Sequence, residues 1–372
     1  MLEQEEAEGQ ATNLPSAARS ANLAKSRLVA SGATSLPGWR ELLDGPSPPL
    51  QDEGEEVDED PGEFKHGWQR HASKALEQFE HAALLHALRG TTPRGPLPGR
   101  ARLRSCSGPH SGEWLKAMPT SPALHFTNAE MLCALRRRLG LAVGAEGAWC
   151  EGRGRALDAH GHHRAACTRT GRNHARHRSL IAAWRQVFHE AGGHVPQRNV
   201  ERMLRHTHVP VPPGDNRRLD LVVPGLAVER GLPLFCDVTC VSPLTGSGLA
   251  RSGATMRDGA IVTDAHRTNR ATYPEVEQSG LGRLLCLGVE TFGRWGEDVL
   301  KILPTMAREK CRGLPGRIRQ RAQIAQARRW WGLLSVAAQR SVARSLLREE
   351  GSDLAEAPLE RPPLFADLPC CD

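Results

Sequence analysis

Arg218-Leu219-Asp220-Leu221-Val222-Val223 and, after a loop containing proline and glycine, Leu234-Phe235-Cys236-Asp237-Val238-Thr239 decide how this chain is read. Both runs consist mainly of apolar and β-branched residues that suit a pleated surface, so both predict strands. Each carries one aspartate, whose carboxylate then projects from a strand where a divalent cation can be shared between the two. The bland alternative is a pair of strand acids neutralised by the many arginines.

A hydrolytic phosphodiester site asks for such carboxylates and usually for a lysine that orients or activates water. The lysine is missing here. Two residues beyond Asp237 stands Thr239, which can hydrogen-bond a water but brings no charge. The nearest cations are Arg267 and Arg270 in AHRTNRATYPE, which reads as a helix ending before Tyr273; arginine clamps a phosphate but is a poor base. Asp215, in the turn PPGDN, reads as a turn former. Glu290, closing a strand before TFGRWG, suits either the acidic site or a helix N-terminus.

Outward from the two runs, the pattern is mixed α/β. Residues 1–64 are rich in Ala, Ser, Gly, Pro and acid and predict a disordered leader. A helical linker region follows over 65–147, with one helix between His66 and Gly90 and another over NAEMLCALRRRLG, capped by Asn128 and stopped by Gly140. Residues 148–178 form a Cys/His module. The core spans 179–312, opened by a helix from Ser179 to Ala191 and containing strands over Arg217–Val223, Pro233–Val241 and Arg283–Val289. Basic helices over 313–350, broken near Gly332, precede a flexible tail over 351–372.

Within 148–178 the stretch CEGRGRALDAHGHHRAACTRTGRNHARH offers Cys150, His160, His162, His163, Cys167, His174 and His177. Zinc takes about four soft or borderline ligands, and a glycine-bearing loop can wrap an ion without a large core. Arg153 stands where a CxxC knuckle would have its second cysteine, leaving Cys133 or His160 as the fourth donor. A solvated phosphate-contact loop is the simpler alternative.

The 372 residues carry a net charge of +7, dominated by arginine, which favours a polyanionic partner, nucleic acid first. The ten cysteines are scattered without a disulfide framework, so reduced thiols are expected. The acidic opening MLEQEEAEGQ is no secretory signal, and no apolar run reaches the roughly 18 residues of a membrane span. A soluble protein, nuclear or otherwise intracellular and without a membrane partner, is the expectation. Arg328 and Arg329 beside Trp330 and Trp331 offer phosphate and stacking contacts, although a tryptophan pair in a helix is more often core.

Taken together, these motifs resemble the carboxy-terminal region of site-specific non-LTR retrotransposon reverse-transcriptase proteins, in which a Cys/His zinc motif precedes a restriction-enzyme-like endonuclease of the PD-(D/E)xK class. The resemblance covers about Leu124 to Leu347. Cys150, His163 and Cys167 match the zinc cluster, and Arg176-His177-Arg178 matches an Arg-His-Asn motif. Arg218-Leu219-Asp220 matches the first acid and Asp237 the second, while Asn269 or Arg270, with Tyr273, matches a lysine near a tyrosine. The phrases LDAHGHHRAAC, DNRRLDLVV, LFCDVTCVSPL, TYPEV and ETFGRW look like degenerate retroelement-derived reading frames.

The resemblance implies a small mixed-sheet, restriction-endonuclease-like core with flanking helices and a zinc-binding loop module. It implies Zn²⁺ on Cys150, His163 and Cys167, and Mg²⁺ (or Mn²⁺) on Asp220 and Asp237. It implies DNA contacts from Arg176, His177, Arg217, Arg218, Arg267, Arg328 and Arg329, with Thr239 and Arg270 at the phosphate or water. Four positions depart from the family pattern: a zinc cysteine, the proline replaced by Leu219, the asparagine replaced by Arg178, and the lysine. Ile181 also falls where related copies carry a glutamate. No polymerase motif is present, so the chain reads as the tail of a polyprotein, either a metal-dependent endonuclease or a noncatalytic nucleic-acid-binding relic.

Overall fold

The computed structural model describes residues 68–88, 91–92, 95–96, 98–144, 149–154, 156–167, 169–195 and 202–347. The expected leader and tail lie outside them. The chain divides into two units, Met1–Arg89 and Gly90–Asp372. The first contributes helix α1, Trp68–Ala87, within the span expected from its apolar spacing.

The second unit is mixed α/β around a three-stranded sheet. Its elements are β1 (Thr91–Thr92), β2 (Gly95–Pro96), α2 (Pro98–Cys106), α3 (Asn128–Leu139), α4 (His162–Ala166), α5 (Arg172–Glu190), β3 (Arg202–Met203), β4 (Arg218–Leu219), β5 (Leu221–Val223), β6 (Leu234–Val241), α6 (Ala260–Thr272), α7 (Pro274–Ser279), β7 (Arg283–Glu290), α8 (Glu297–Lys310) and α9 (Gly316–Leu346). The sheet order is β5-β6-β7, with β6 antiparallel to β5 and parallel to β7. A parallel pair needs a long crossover, and α6 and α7 supply it. β1 and β2 form a separate two-stranded ladder, as do β3 and β4.

Period-two alternation sorts the sheet residues between two faces. Leu221, Val223, Leu234, Cys236, Val238, Leu285, Leu287 and Val289 join one core with Trp184 and Phe188 of α5, Ile302 and Leu303 of α8, and Trp330 and Leu334 of α9. Phe235 and Leu284 belong to a second cluster with Leu219, Tyr273 and Val276. The first core also takes in Trp114, Leu124, Phe126 and Ala134. The segments that sequence boundaries set apart as linker, core and basic helices therefore share one interior.

Four local expectations are corrected. The strand expected from Arg217 to Val223 is interrupted at Asp220: Arg218–Leu219 pairs with β3 and Leu221–Val223 with β6. The helix expected at Ser179 begins at Arg172, so His174, Arg176 and His177 are helical, and no boundary falls at 178. Polar residues conceal this first turn from a search for apolar periodicity. The cap of α3 is Thr127 rather than Asn128, in a reciprocal box with Glu130; Gly140 does close the helix, at φ 75°.

The break expected at Gly332 is absent, and α9 runs unbroken for 31 residues. An internal glycine costs a helix about 1 kcal/mol. Here Trp330, Trp331, Leu333, Leu334 and Val336 are all buried around it, and that packing outweighs the propensity loss. The same packing settles the Trp330-Trp331 pair as core.

Candidate functional site

Two clusters merit attention. The first is built by the ends of short elements. After Cys150 the chain turns tightly, with Gly154 donating to the Cys150 carbonyl at 2.8 Å. Asp158 then accepts the backbone N–H groups of His162 at 2.9 Å and His163 at 2.8 Å, which fixes the start of α4. His163 is thereby presented toward Cys150 and Cys167, and one ligand atom from each of the three residues lies within 4.8 Å of the others. The two sulfurs are 3.7 Å apart and unlinked.

Two features fit a metal. Among the described residues His163 Nε2 is buried without a hydrogen-bond partner, an uncommon condition for an imidazole nitrogen. Burial opposes ionisation of the Cys167 thiol, yet the Arg169 N–H, Cys150, the Thr170 N–H and the Arg153 charge outweigh it and lower the pKa. The residues present can hold a metal ion with three donors. Cys133 packs instead with Ala165, Val342, Ala343 and Leu346, and the His160 ring lies against His162, so among the described residues neither joins the cluster.

The second cluster arises where the chain changes ladders. Asp220 lies between β4 and β5, and continuing the β5–β6 register by one residue sets it opposite Asp237. Asp220 Oδ2 accepts the Val238 N–H at 2.7 Å, in effect prolonging the ladder with a side chain, and lies 3.0 Å from His177 Nε2. Asp237 Oδ2 accepts from Asn269 Nδ2 at 2.5 Å. Among the described residues, the hydrogen bonds to both aspartates converge on Oδ2.

Electrostatics agree with this geometry. Burial, and then the charge of Asp220, push the Asp237 carboxyl up to about 7, with His177 and Asn269 acting against the rise. The hydrogen bond to Asp220 raises the pKa of His177 against the effect of its burial. Cys286, the register partner of Asp237, is pushed up to about 12 by burial and by Asp237. Against the rise at Asp237, His177 acts through charge and Asn269 through a hydrogen bond.

The remaining expected residues fall in different places. Thr239 is half-buried two positions along the same face of β6, beside Gly288. Arg270 is committed to Glu277 at 2.6 Å and to His266 at 2.7 Å, and Arg267 pairs with Asp264 on the surface at 3.1 Å. Arg217 forks onto Asp215 and Glu275, and Arg329 onto buried Glu190, with Trp330 Nε1 donating to the same carboxylate. Arg176 is buried and donates to the Ala165 carbonyl and to Asn173. Arg217, Arg329 and Arg176 are thus each engaged by partners within the protein. Arg218 is exposed on β4 and Arg328 lies on α9.

Asp215 accepts the Arg217 N–H at 2.8 Å, as a turn former does. Glu290 accepts the Val262 N–H at the first turn of α6, at the far end of β7 from Cys286, so it stands apart from the acidic pair. Sequence reasoning missed His266 and Asp298, whose side chains approach to 3.1 Å behind Cys286. The spacing of His266, Asn269 and Arg270 at i, i+3 and i+4 on α6 was the signal that could have found one of them.

Comparison with protein-family models and with curated proteins finds no match for this chain. Among the described residues no helix is long and apolar enough to cross a membrane.

Proposed function

We propose that this protein is a nucleic-acid-binding, retroelement-derived endonuclease with a PD-(D/E)xK-like core, acting on DNA in the nucleus, with zinc in its Cys/His cluster and Mg²⁺ (or Mn²⁺) at its acidic pair. The observation that carries this reading is the opposition of Asp220 and Asp237 across one sheet register, with Asp237 pushed up to about 7. Two like charges forced together in a half-buried place favour a divalent cation. A divalent ion bound there supplies Lewis-acid stabilisation of a phosphoryl oxygen and a water of lowered pKa.

The chain's own residues supply the rest. Asp220 is fixed by the Val238 N–H and His177, so its orientation is set before any ligand arrives. Asn269 holds Asp237 in place. Cys150, His163 and Cys167 would hold zinc, which needs thiolate and imidazole donors of this kind, and would fix the loop that leads into α5.

Asn269 also favours a second reading, a noncatalytic binding relic. It is neutral, it contacts the second acid, and it is one of the two positions, with Arg270, that match the lysine of the resembled family. Cleavage of plasmid DNA with magnesium or manganese, compared between wild type and Asp237→Ala, decides. Metal-dependent nicking lost in the variant supports the endonuclease. Salt-sensitive binding retained in both, with no nicking in either, leaves the relic.

A further inference from the structure

Arg137 is the middle residue of Arg136-Arg137-Arg138 on α3, and it is only 5 % exposed. Its Nε and Nη1 are buried without a hydrogen-bond partner, and among the described residues no carboxylate pairs with it. What holds the guanidinium is an aromatic face: its central carbon lies 4.6 Å from the centroid of the Phe292 ring. Burial first, with Arg176 adding to it against Cys133, lowers its pKa to about 10, so it remains a cation at neutral pH.

The surroundings add charge of the same sign. One turn earlier on α3, Cys133 packs with Ala165 and the partly buried Cys240. The carbonyl of that same Ala165 accepts from Nη1 of Arg176, which is itself only 6 % exposed and has no carboxylate partner among the described residues. At the end of α3, the guanidinium of Arg102 lies so close to Gly140 that a Cβ there would overlap it. Arg138 reaches the Cys106 carbonyl at 3.1 Å. The buried carboxylate of this end of the sheet, Glu290, is engaged by the Val262 N–H.

A buried cation without hydrogen bonds is among the most costly arrangements a fold can hold, and a bound anion removes that cost. We infer that Arg137, with Arg102 near the same end of α3, forms a receptor for a phosphomonoester-type oxyanion, either inorganic phosphate or the terminal phosphate of a nucleic-acid strand. Arg138, Arg102 and Arg137 all act electrostatically on the Cys106 thiol, and Arg176 on Arg137; such an excess of positive charge favours a dianion over a monoanion, and arginine matches phosphate geometry. The site is separate from the acidic pair and does not depend on cleavage.

The test is thermal unfolding of the full chain in inorganic phosphate against sodium chloride of equal ionic strength. At about ten times the dissociation constant, phosphate is expected to raise the wild-type midpoint by about 3 °C above the chloride control. Arg137→Met keeps the apolar stem and removes the unpaired charge; it is expected to be no less stable than wild type without phosphate and to lose the rise. Arg102→Gln, at a half-buried position, is expected to weaken phosphate affinity several-fold with the fold intact. A 5′-phosphorylated oligonucleotide that displaces phosphate where its 5′-hydroxyl counterpart does not assigns the site to strand ends; no difference between the two assigns it to free phosphate. No rise beyond the chloride control in wild type, or an equal rise in Arg137→Met, overturns the inference. Should Arg137→Met fail to fold, an unchanged affinity in Arg102→Gln overturns it equally.

Discussion

The Cys/His cluster and the acidic pair are both small gatherings of metal-competent side chains, yet the protein treats them in opposite ways. At Cys150, His163 and Cys167 the donors converge and an imidazole nitrogen is left without a partner. At Asp220 and Asp237 the chain supplies its own donors, from His177, the Val238 N–H and Asn269. A site with an orphaned donor is built around its ligand, whereas a site with internal partners persists whether or not a ligand is bound. Loss of the metal should therefore disturb the first region's structure and leave that of the second largely intact.

The sharpest way to break this contrast is Cys167→Ser. Zinc content, measured by elemental analysis, is expected to fall from about one equivalent to none, with loss of order around Cys150 and over 156–167, because binding and local folding share one free energy. Wild-type protein that purifies without metal, at full stability, would erase the distinction.

Asp237→Ala comes next. Metal-dependent nicking is expected to drop by about 10²–10³-fold with little change in unfolding midpoint, since removing one of two repelling acids relieves strain even as it removes the site. A large loss of stability would mean that the pair is structural.

Glu190, at the end of the helix that carries His177, supplies a reference for a charge the fold depends on. It accepts from Arg329, Gln186 and Trp330, and Glu190→Ala is expected to cost about 3–5 kcal/mol by removing the buried acceptor that these three side chains share. Burial works against its ionisation, but Arg329, Gln186 and Trp330 prevail and lower its pKa. Its contribution is therefore present above the ordinary carboxylate value and is lost as pH falls through the depressed one. Chemical denaturation along the acid limb should be steeper in wild type than in Glu190→Gln.

The smallest effect concerns Asn269. Asn269→Lys places an ammonium beside Asp237 and is expected to raise nicking about tenfold if the missing lysine is what limits it, a gain of about 1.4 kcal/mol in the barrier. No gain, with binding unchanged, would favour the relic.

How much of this was legible beforehand follows from what kind of signal each part leaves. β6 and β7 were readable because their apolar runs are long, and the cap at Gly140 because a glycine leaves a local mark. The first turn of α5 was hidden, since its arginines and histidines carry no apolar period. Asp220 and Asp237 were identifiable as strand acids, but the bend at Asp220 depends on the pairing of β3 with β4, a contact no local window contains. Cys150 and Cys167 stood out by residue type, and only the family resemblance singled out His163 from His162, while the commitment of Arg176, Arg217 and Arg329 to internal partners is set by tertiary neighbours. Composition counts charges and is blind to where they are spent.

The unbroken helix Gly316–Leu346 has a consequence for how this chain comes into being. Its tryptophans and leucines fill the centre of an interior whose other walls lie before Lys310. During synthesis the sheet and helices α3, α5 and α8 all leave the ribosome before the rod that packs on those helices, so a nascent chain must keep their apolar faces from sticking to others until α9 arrives. A holding chaperone, or rapid translation through this arginine-rich stretch, is what such an order of assembly calls for.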